Sequence, residues 1–150
     1  IFVDYAHTPD ALERLLKTAR SLVKRDGKLI CVFGCGGDRE REKRPLMGEI
    51  SGRLADWTIL TSDNPRSERP EDIAAQIEAG IRRTNGRYEI LLDRKKAVEK
   101  ALVLCDNRNV MVIAGKGHET TQIIGNTTHP FDDRRVVKEI LQKYNTGDHT

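Results

Sequence analysis

At 150 residues, with 33% charged and 37% hydrophobic residues, the chain can bury a core, and its composition excludes a disordered or fibrous polymer. A net charge of +3 and an isoelectric point near 8.8 do not argue for nucleic acid or a membrane surface as partner. The densest basic run agrees, since Arg39, Arg41, Lys43 and Arg44 alternate with Glu40 and Glu42.

No leader pattern and no run of about 18 apolar residues is present, so neither export nor membrane insertion is expected. Three cysteines cannot close a disulfide framework and form no C-x-x-C pair. Cys31 lies in an apolar run and Cys105 ends an apolar helix face, so both read as core thiols of a cytoplasmic protein. The chain lacks an initiator Met and opens inside the apolar run Ile1-Phe2-Val3, which reads as a piece of a longer protein.

Apolar runs and helical patterns then alternate. Ile1 to Tyr5 reads as a strand. Thr8 is a good N-cap and Pro9 a good first helical residue, and Ala11, Leu12, Leu15, Leu16, Ala19, Leu22 and Val23 predict a helix to about Arg25. Lys28 to Gly34 is a second strand, followed by the glycine-rich loop Gly34-Cys35-Gly36-Gly37-Asp38-Arg39. A helix begun by Pro45 turns Met47, Ile50 and Leu54 inward, and Trp57 to Thr61 is a third strand. Pro70 opens a helix to about Arg83, with Glu71 and Asp72 favourable in its first turn. Tyr88 to Leu92 is a fourth strand, and Asp93 caps a helix carrying Ala97, Val98, Ala101 and Leu102. Val110 to Ala114 is a fifth strand, and Thr120 to Phe131 predicts a short strand or hairpin. Asp132 and Asp133 open a last helix with Val136, Val137, Ile140 and Leu141 inward, and fraying is expected after Tyr144. Nearly continuous apolar strands alternating with helices predict one doubly wound α/β domain over residues 1–150, its mostly parallel sheet covered on both faces.

In such a sheet, ligands bind at the loops leaving the carboxyl ends of the strands. Four of these loops are unusually polar: Asp4-Tyr5-Ala6-His7-Thr8-Pro9, the glycine-rich loop, Asp63-Asn64-Pro65-Arg66, and Gly115-Lys116-Gly117-His118-Glu119. Two familiar labels fail. The glycine-rich loop carries Arg39 where a dinucleotide fingerprint needs its third Gly, and around Lys116 the leading Gly and the Ser or Thr of a Walker A loop are missing. The four histidines, His7, His118, His129 and His149, show no metal-ligand spacing. No nucleophile–base arrangement stands out, so no catalytic residue is assigned.

The loops supply recognition chemistry instead. Arg39 and Arg66 can each grip a carboxylate bidentately, Glu119 can accept from an ammonium, and Asp63 and Asn64 add acceptors and a donor on a backbone stiffened by Pro65. Singly, each reads equally as a solvated charge or an Asx-turn; together they suit a zwitterionic amino-acid head group.

In this order the four motifs, with Lys43-Arg44-Pro45 after the second, resemble the C-terminal domain of the Mur ligases, most closely the diaminopimelate-adding branch. The likeness runs to the Phe131-Asp132-Asp133-Arg134 helix start. It implies a Rossmann-like domain of an ATP-dependent ligase of peptidoglycan synthesis. The UDP-binding and central ATPase domains, with the phosphate loop and Mg2+ sites, are then absent from this chain, and the fragment alone is expected to be inactive. It also implies that Arg39, Asn64, Arg66, Gly115 and Glu119, with Asp63 beside them, hold meso-diaminopimelate. Asp4 would bind the ATP ribose, with Tyr5 and His7 beside the nucleotide, and the acceptor would be UDP-MurNAc-L-Ala-D-Glu. Arg66 would pair with the carboxylate that lysine lacks; the lysine-adding branch has no Arg there. A lysine-adding homologue and a stand-alone, non-catalytic nucleotide or amino-acid binding module remain the alternatives.

Overall fold

In the computed structural model, which describes residues 1–145, the elements follow in the order β1 (Phe2–Asp4), α1 (Pro9–Arg20), β2 (Leu29–Phe33), α2 (Lys43–Leu54), β3 (Trp57–Leu60), α3 (Pro70–Ile81), β4 (Arg87–Ile90), α4 (Arg94–Leu104), β5 (Val110–Ala114), β6 (Thr121–Ile124), β7 (Thr127–Pro130) and α5 (Asp133–Asn145). The first five strands form one parallel sheet in the order β1-β5-β2-β3-β4. β2 and β5 lie at its centre and are buried over their whole length, which is why both sequences are continuously apolar.

Strand periodicity sorts the core into two layers. Leu29, Cys31 and Phe33 of β2, with Val112 and Ala114 of β5, pack against Leu12 and Leu16 of α1, Met47 of α2 and Ile73 and Ile77 of α3. Ile30 and Val32, with Met111 and Ile113, pack against Ala97, Val98 and Ala101 of α4 and Val136, Val137 and Ile140 of α5. The chain leaves β2 toward the first layer and, after β6 and β7, leaves β5 toward the second. The two loops therefore part at the carboxyl ends of adjacent strands, the place where doubly wound folds open a crevice.

The expected helix caps are present: Thr8 Oγ1 accepts from Ala11 N at 3.2 Å, and Asp93 Oδ1 accepts from Lys96 N at 3.1 Å. Several boundaries move. α1 stops at Arg20, where the Ser21 N–H closes onto Lys17 and Thr18, so Leu22 is outside the helix and 53% exposed. β1 is shorter than Ile1–Tyr5, α2 starts at Lys43 before Pro45, and α3 ends at Ile81 rather than Arg83. Leu141 is exposed rather than inward. Cys105 lies beyond the end of α4 and is only partly buried, whereas Cys35 is buried with its Sγ 3.8 Å from Met47 Sδ. Thr120 to Phe131 contains the antiparallel hairpin β6–β7. α5 continues to Asn145; the rest of the fraying expected after Tyr144, and His149, lie outside the described residues. Among the described residues no helix is long and apolar enough to cross a membrane.

α2 and α3 approach closely at two glycines. A methyl group on Gly48 would overlap the Ile77 carbonyl oxygen, and one on Gly80 would overlap the Pro45 carbonyl oxygen. Alanine gains about 1 kcal/mol of helix propensity over glycine, but overpacking against backbone typically costs about 1–3 kcal/mol. We therefore expect Gly80→Ala to lower the thermal unfolding midpoint by a few degrees. A variant as stable as the parent would show that the helices can part without cost.

Candidate functional site

Because the five strands are parallel, the four polar loops open on one edge of the sheet. Beneath them lies a fully buried ion pair. Arg94, the first residue of α4, donates from Nε and Nη2 to the two carboxylate oxygens of Asp133 in α5, each at 2.8 Å. The same guanidinium donates to Ser62 O at 3.0 Å and Ala114 O at 3.3 Å, tying the ends of β3 and β5 together. Burial works against the Arg94 charge, but the Asp133 carboxylate, with Asp63 and Glu119 beyond it, outweighs burial, so the Arg94 pKa lies above the ordinary arginine value.

Above this pair, Asp63 and Asn64 are buried rather than open to solvent. Lys116 is fully buried beside them. Its Nζ donates to Asn64 Oδ1 at 2.9 Å and lies 3.8 Å from Asp63 Oδ1 and 4.0 Å from Glu119 Oε1. Burial pulls the Lys116 pKa down, and Asp63 acts in the opposite sense. The lysine that fails as a Walker A residue is thus turned inward, toward three of the predicted site residues. Gly115, at φ +114°, has the Asp63 carboxylate against it where a side chain would stand.

Arg66 adopts φ +51°, rare outside glycine. The hairpin holds it there: Arg66 N donates to Ile123 O at 3.0 Å, and Gly125 N donates to Arg66 O at 2.7 Å. Its Nη1 donates to Gly37 O at 2.9 Å, and its remaining donors have no partner among the described residues. Arg39 is exposed, with Nη1 on its neighbour's carbonyl oxygen, Asp38 O. The two arginines converge over Gly36, where an added Cβ would meet Arg66 Nη1 at 3.0 Å and Arg39 Cγ at 3.6 Å.

A second buried arginine fastens this loop pair. Arg44 grips Glu68 bidentately, at 3.0 and 2.7 Å, and also donates to Gln76 Oε1 and Gly36 O. Glu68 accepts from Asp38 N, and Asp38 accepts from both the hydroxyl and the N–H of Ser67.

The predicted nucleotide-side residues form a separate group. Asp4 Oδ1 accepts from Ala6 N at 2.8 Å, leaving its other oxygen free among the described residues. The ring centroid of Tyr5 lies 4.5 Å from that of His7 and 5.7 Å from that of His118. His118 belongs to the fourth polar loop, but the sequence assigns it no role, since its ring contact with Tyr5 joins residues far apart in the chain. The pairs Arg94–Asp133 and Arg44–Glu68 were equally invisible, since each joins residues far apart in the chain.

A hollow of about 520 Å³ lies beside the second and third loops, between Arg41, Ser67, Glu68, Arg69, Asp72 and Gln76. A hollow of about 790 Å³ opens at the opposite edge of the sheet, between Lys28, Arg53, Trp57, Arg87 and Lys100. Its carboxylates are already engaged, Asp56 by Arg20 and Glu89 by Lys100. The polar chemistry gathers on the carboxyl edge, and we take that open edge as the site. Among the described residues no three His, Cys, Asp or Glu converge to hold a metal ion.

The Arg44 fork lowers the Glu68 pKa from 4.5 to about 2. A depressed carboxylate stabilises the fold fully above its unfolded pKa, and that contribution is lost as pH falls through the folded value. The stability advantage of the parent chain over Glu68→Gln should therefore shrink as pH falls from about 4.5 toward 2, with pH 7 giving the full difference. Urea unfolding of both proteins across that range checks it; a constant difference would mean that the Arg44 contact does not hold Glu68 ionised.

The family described as "Mur ligase, glutamate ligase domain" matches residues 1–117. The chain is 52% identical over 94% of its length to the UDP-N-acetylmuramoyl-L-alanyl-D-glutamate–2,6-diaminopimelate ligase of Caldanaerobacter subterraneus subsp. tengcongensis, covering 29% of that protein. It is 51% identical over 95% of its length to the ligase of the same name from Clostridioides difficile, again covering 29%. A solved structure of a ligase of that name superposes with a TM-score of 0.88 at 44% identity, over 99% of this chain and 29% of the other. The chain thus spans less than a third of the length of these relatives. With the family matching over most of the chain and the same parallel sheet in a solved ligase, this chain belongs to the Mur ligase C-terminal domain family.

Proposed function

We propose that this chain is the amino-acid-delivering domain of an ATP-dependent ligase that adds meso-diaminopimelate to UDP-MurNAc-L-Ala-D-Glu. In that reaction an amine of diaminopimelate displaces phosphate from the activated side-chain carboxylate of D-glutamate. A carbon–nitrogen bond forms, the acyl carbon–oxygen bond breaks, and the amine gives up a proton. The residues of this chain bind and orient; the UDP-binding and central ATPase domains belong to the longer protein. Among the described residues no group of three His, Cys, Asp or Glu is placed to hold Mg2+.

The observation that carries the reading is Arg66. Its backbone is pinned in a left-handed conformation by the hairpin, and one Nη is pinned by Gly37, so the rest of the fork is held ready beside Arg39. A preorganised guanidinium binds a carboxylate with little further loss of side-chain entropy. Glu119, with its side chain 35% exposed, is the acceptor for an ammonium. Acceptance of diaminopimelate over lysine follows from the pair that lysine cannot make, since a charged hydrogen bond contributes about 1.5–3 kcal/mol. The names of the relatives support the same substrate. Free Cys31, Cys35 and Cys105 and a nucleotide-dependent reaction fit a cytoplasmic enzyme.

In the intact ligase, Arg66→Ala should cost about 2–4 kcal/mol in kcat/KM for diaminopimelate and far less for lysine. Arg66→Lys should recover only part, because an ammonium restores charge without the fork. The ratio of the two specificity constants decides it: an equal fall for both substrates would make Arg66 a general structural residue.

Asp4 offers one free carboxylate oxygen at a strand end. Asp4→Ala should raise the KM for ATP more than that for diaminopimelate, as steady-state kinetics with each substrate varied in turn will show. The reverse pattern would remove Asp4 from the nucleotide side.

A further inference from the structure

We infer that Lys116 is a positioning residue whose ammonium locks the Asn64 amide so that its NH2 group, not its oxygen, faces the amino-acid ligand; the ligand's identity rests on the function proposed above.

The local sequence turns Lys116 inward. Gly115 and Gly117 sit at φ +114° and +55°, and a side chain on Gly117 would strike the Tyr5 backbone. Between these two turns Lys116 is fully buried, an uncommon setting for lysine unless its charge is answered. Asp63 at 3.8 Å and Glu119 at 4.0 Å answer it in part, but neither is within hydrogen-bond distance. The short contact is with a neutral group, Asn64 Oδ1, at 2.9 Å. Charge neutralisation alone would bring the ammonium onto a carboxylate. Here the carboxylates stand back and the amide oxygen receives the proton.

That oxygen accepts a second time, from the Ile123 backbone N–H of the hairpin at 2.9 Å. Two donors occupy both lone pairs of Oδ1. Turning the amide over would set its NH2 against an ammonium and an N–H, leaving buried donors facing donors. The orientation is therefore determined by the surroundings. Covalent geometry then points Nδ2 away from Lys116 and the hairpin, and Nδ2 donates to nothing among the described residues. A buried side chain with a fixed, unused pair of N–H donors is built to meet an acceptor, and the acceptor a zwitterionic amino acid brings is a carboxylate. Glu119, 4.0 Å from the same ammonium, supplies the complementary acceptor. One lysine thus fixes the donor and leaves the acceptor, which is the polarity an amino-acid head group requires.

Two substitutions separate this role from simple stabilisation. Lys116→Met removes the donor and the charge; Lys116→Gln removes the charge but keeps a donor that can reach toward Asn64. In the ligand-free chain, proton–nitrogen NMR should show the Asn64 side-chain amide shifted in Lys116→Met, with the separation between its two proton signals lost as the amide is freed to turn, and Lys116→Gln intermediate. In the intact ligase, the KM for meso-diaminopimelate should rise at least about tenfold in Lys116→Met while the KM for ATP stays within about twofold, and Lys116→Gln should recover part of the loss.

An unchanged Asn64 amide in Lys116→Met would overturn the proposal. So would a fall in kcat with both KM values unchanged, the pattern of a lysine that only stabilises the fold. If Lys116→Met does not fold, Lys116→Gln decides by the same two readouts. If the parent ligase does not use diaminopimelate, the functional reading fails, while the ligand-free amide signal still tests the role of Lys116.

Discussion

The site depends on a buried ion pair that touches no ligand. Arg94 and Asp133 neutralise each other in full burial, and the remaining donors of Arg94 hold carbonyl oxygens at the ends of β3 and β5. Burying such a pair is costly, and it is sustained only when every donor and acceptor is satisfied. Here the guanidinium makes four hydrogen bonds to three residues. Removing either partner would strand a charge beneath the loops, a loss of about 3–5 kcal/mol in comparable pairs. The energetic foundation of the carboxyl edge thus lies one layer below its chemistry.

On that foundation the loops are fastened to one another, not to solvent. Asn64 reaches Lys116 and the hairpin, Gln122 Nε2 donates to Asp63 O at 2.9 Å, and Arg44 binds Glu68 and the glycine-rich loop. The left-handed conformations of Asp38 and Arg66 persist because these neighbours over-determine them. Such strain is tolerated where it aims a side chain, and at Arg66 the aimed group is the guanidinium.

The edge is an open surface with prepared donors and acceptors. Under the proposed function that shape is consistent with a domain that carries its amino acid to a reaction centre formed with other parts of the ligase. Closure would then supply the exclusion of water that this edge lacks by itself, and charged contacts such as that of Arg66 would strengthen as it does so.

Much of this was legible in the chain. The alternation of apolar runs with helical patterns specified the doubly wound sheet, because burial on both faces leaves strands such as Leu29–Phe33 and Val110–Ala114 without polar interruptions. Thr8 and Asp93 declared their helices through local capping chemistry, and the four polar loops announced the edge where ligands bind. Helix ends were less legible: Leu22 kept the spacing of α1 after the helix had stopped, since periodicity does not report where the backbone turns. What only the tertiary structure decided were the long-range electrostatic pairings. Helical spacing sets Arg94 on the face of Ala97, Val98 and Ala101, and two glycines flank Lys116, but neither local pattern names the partner that answers the charge. Their roles come from carboxylates and carbonyls contributed by distant elements, in a burial that raises the energetic stakes of each pairing.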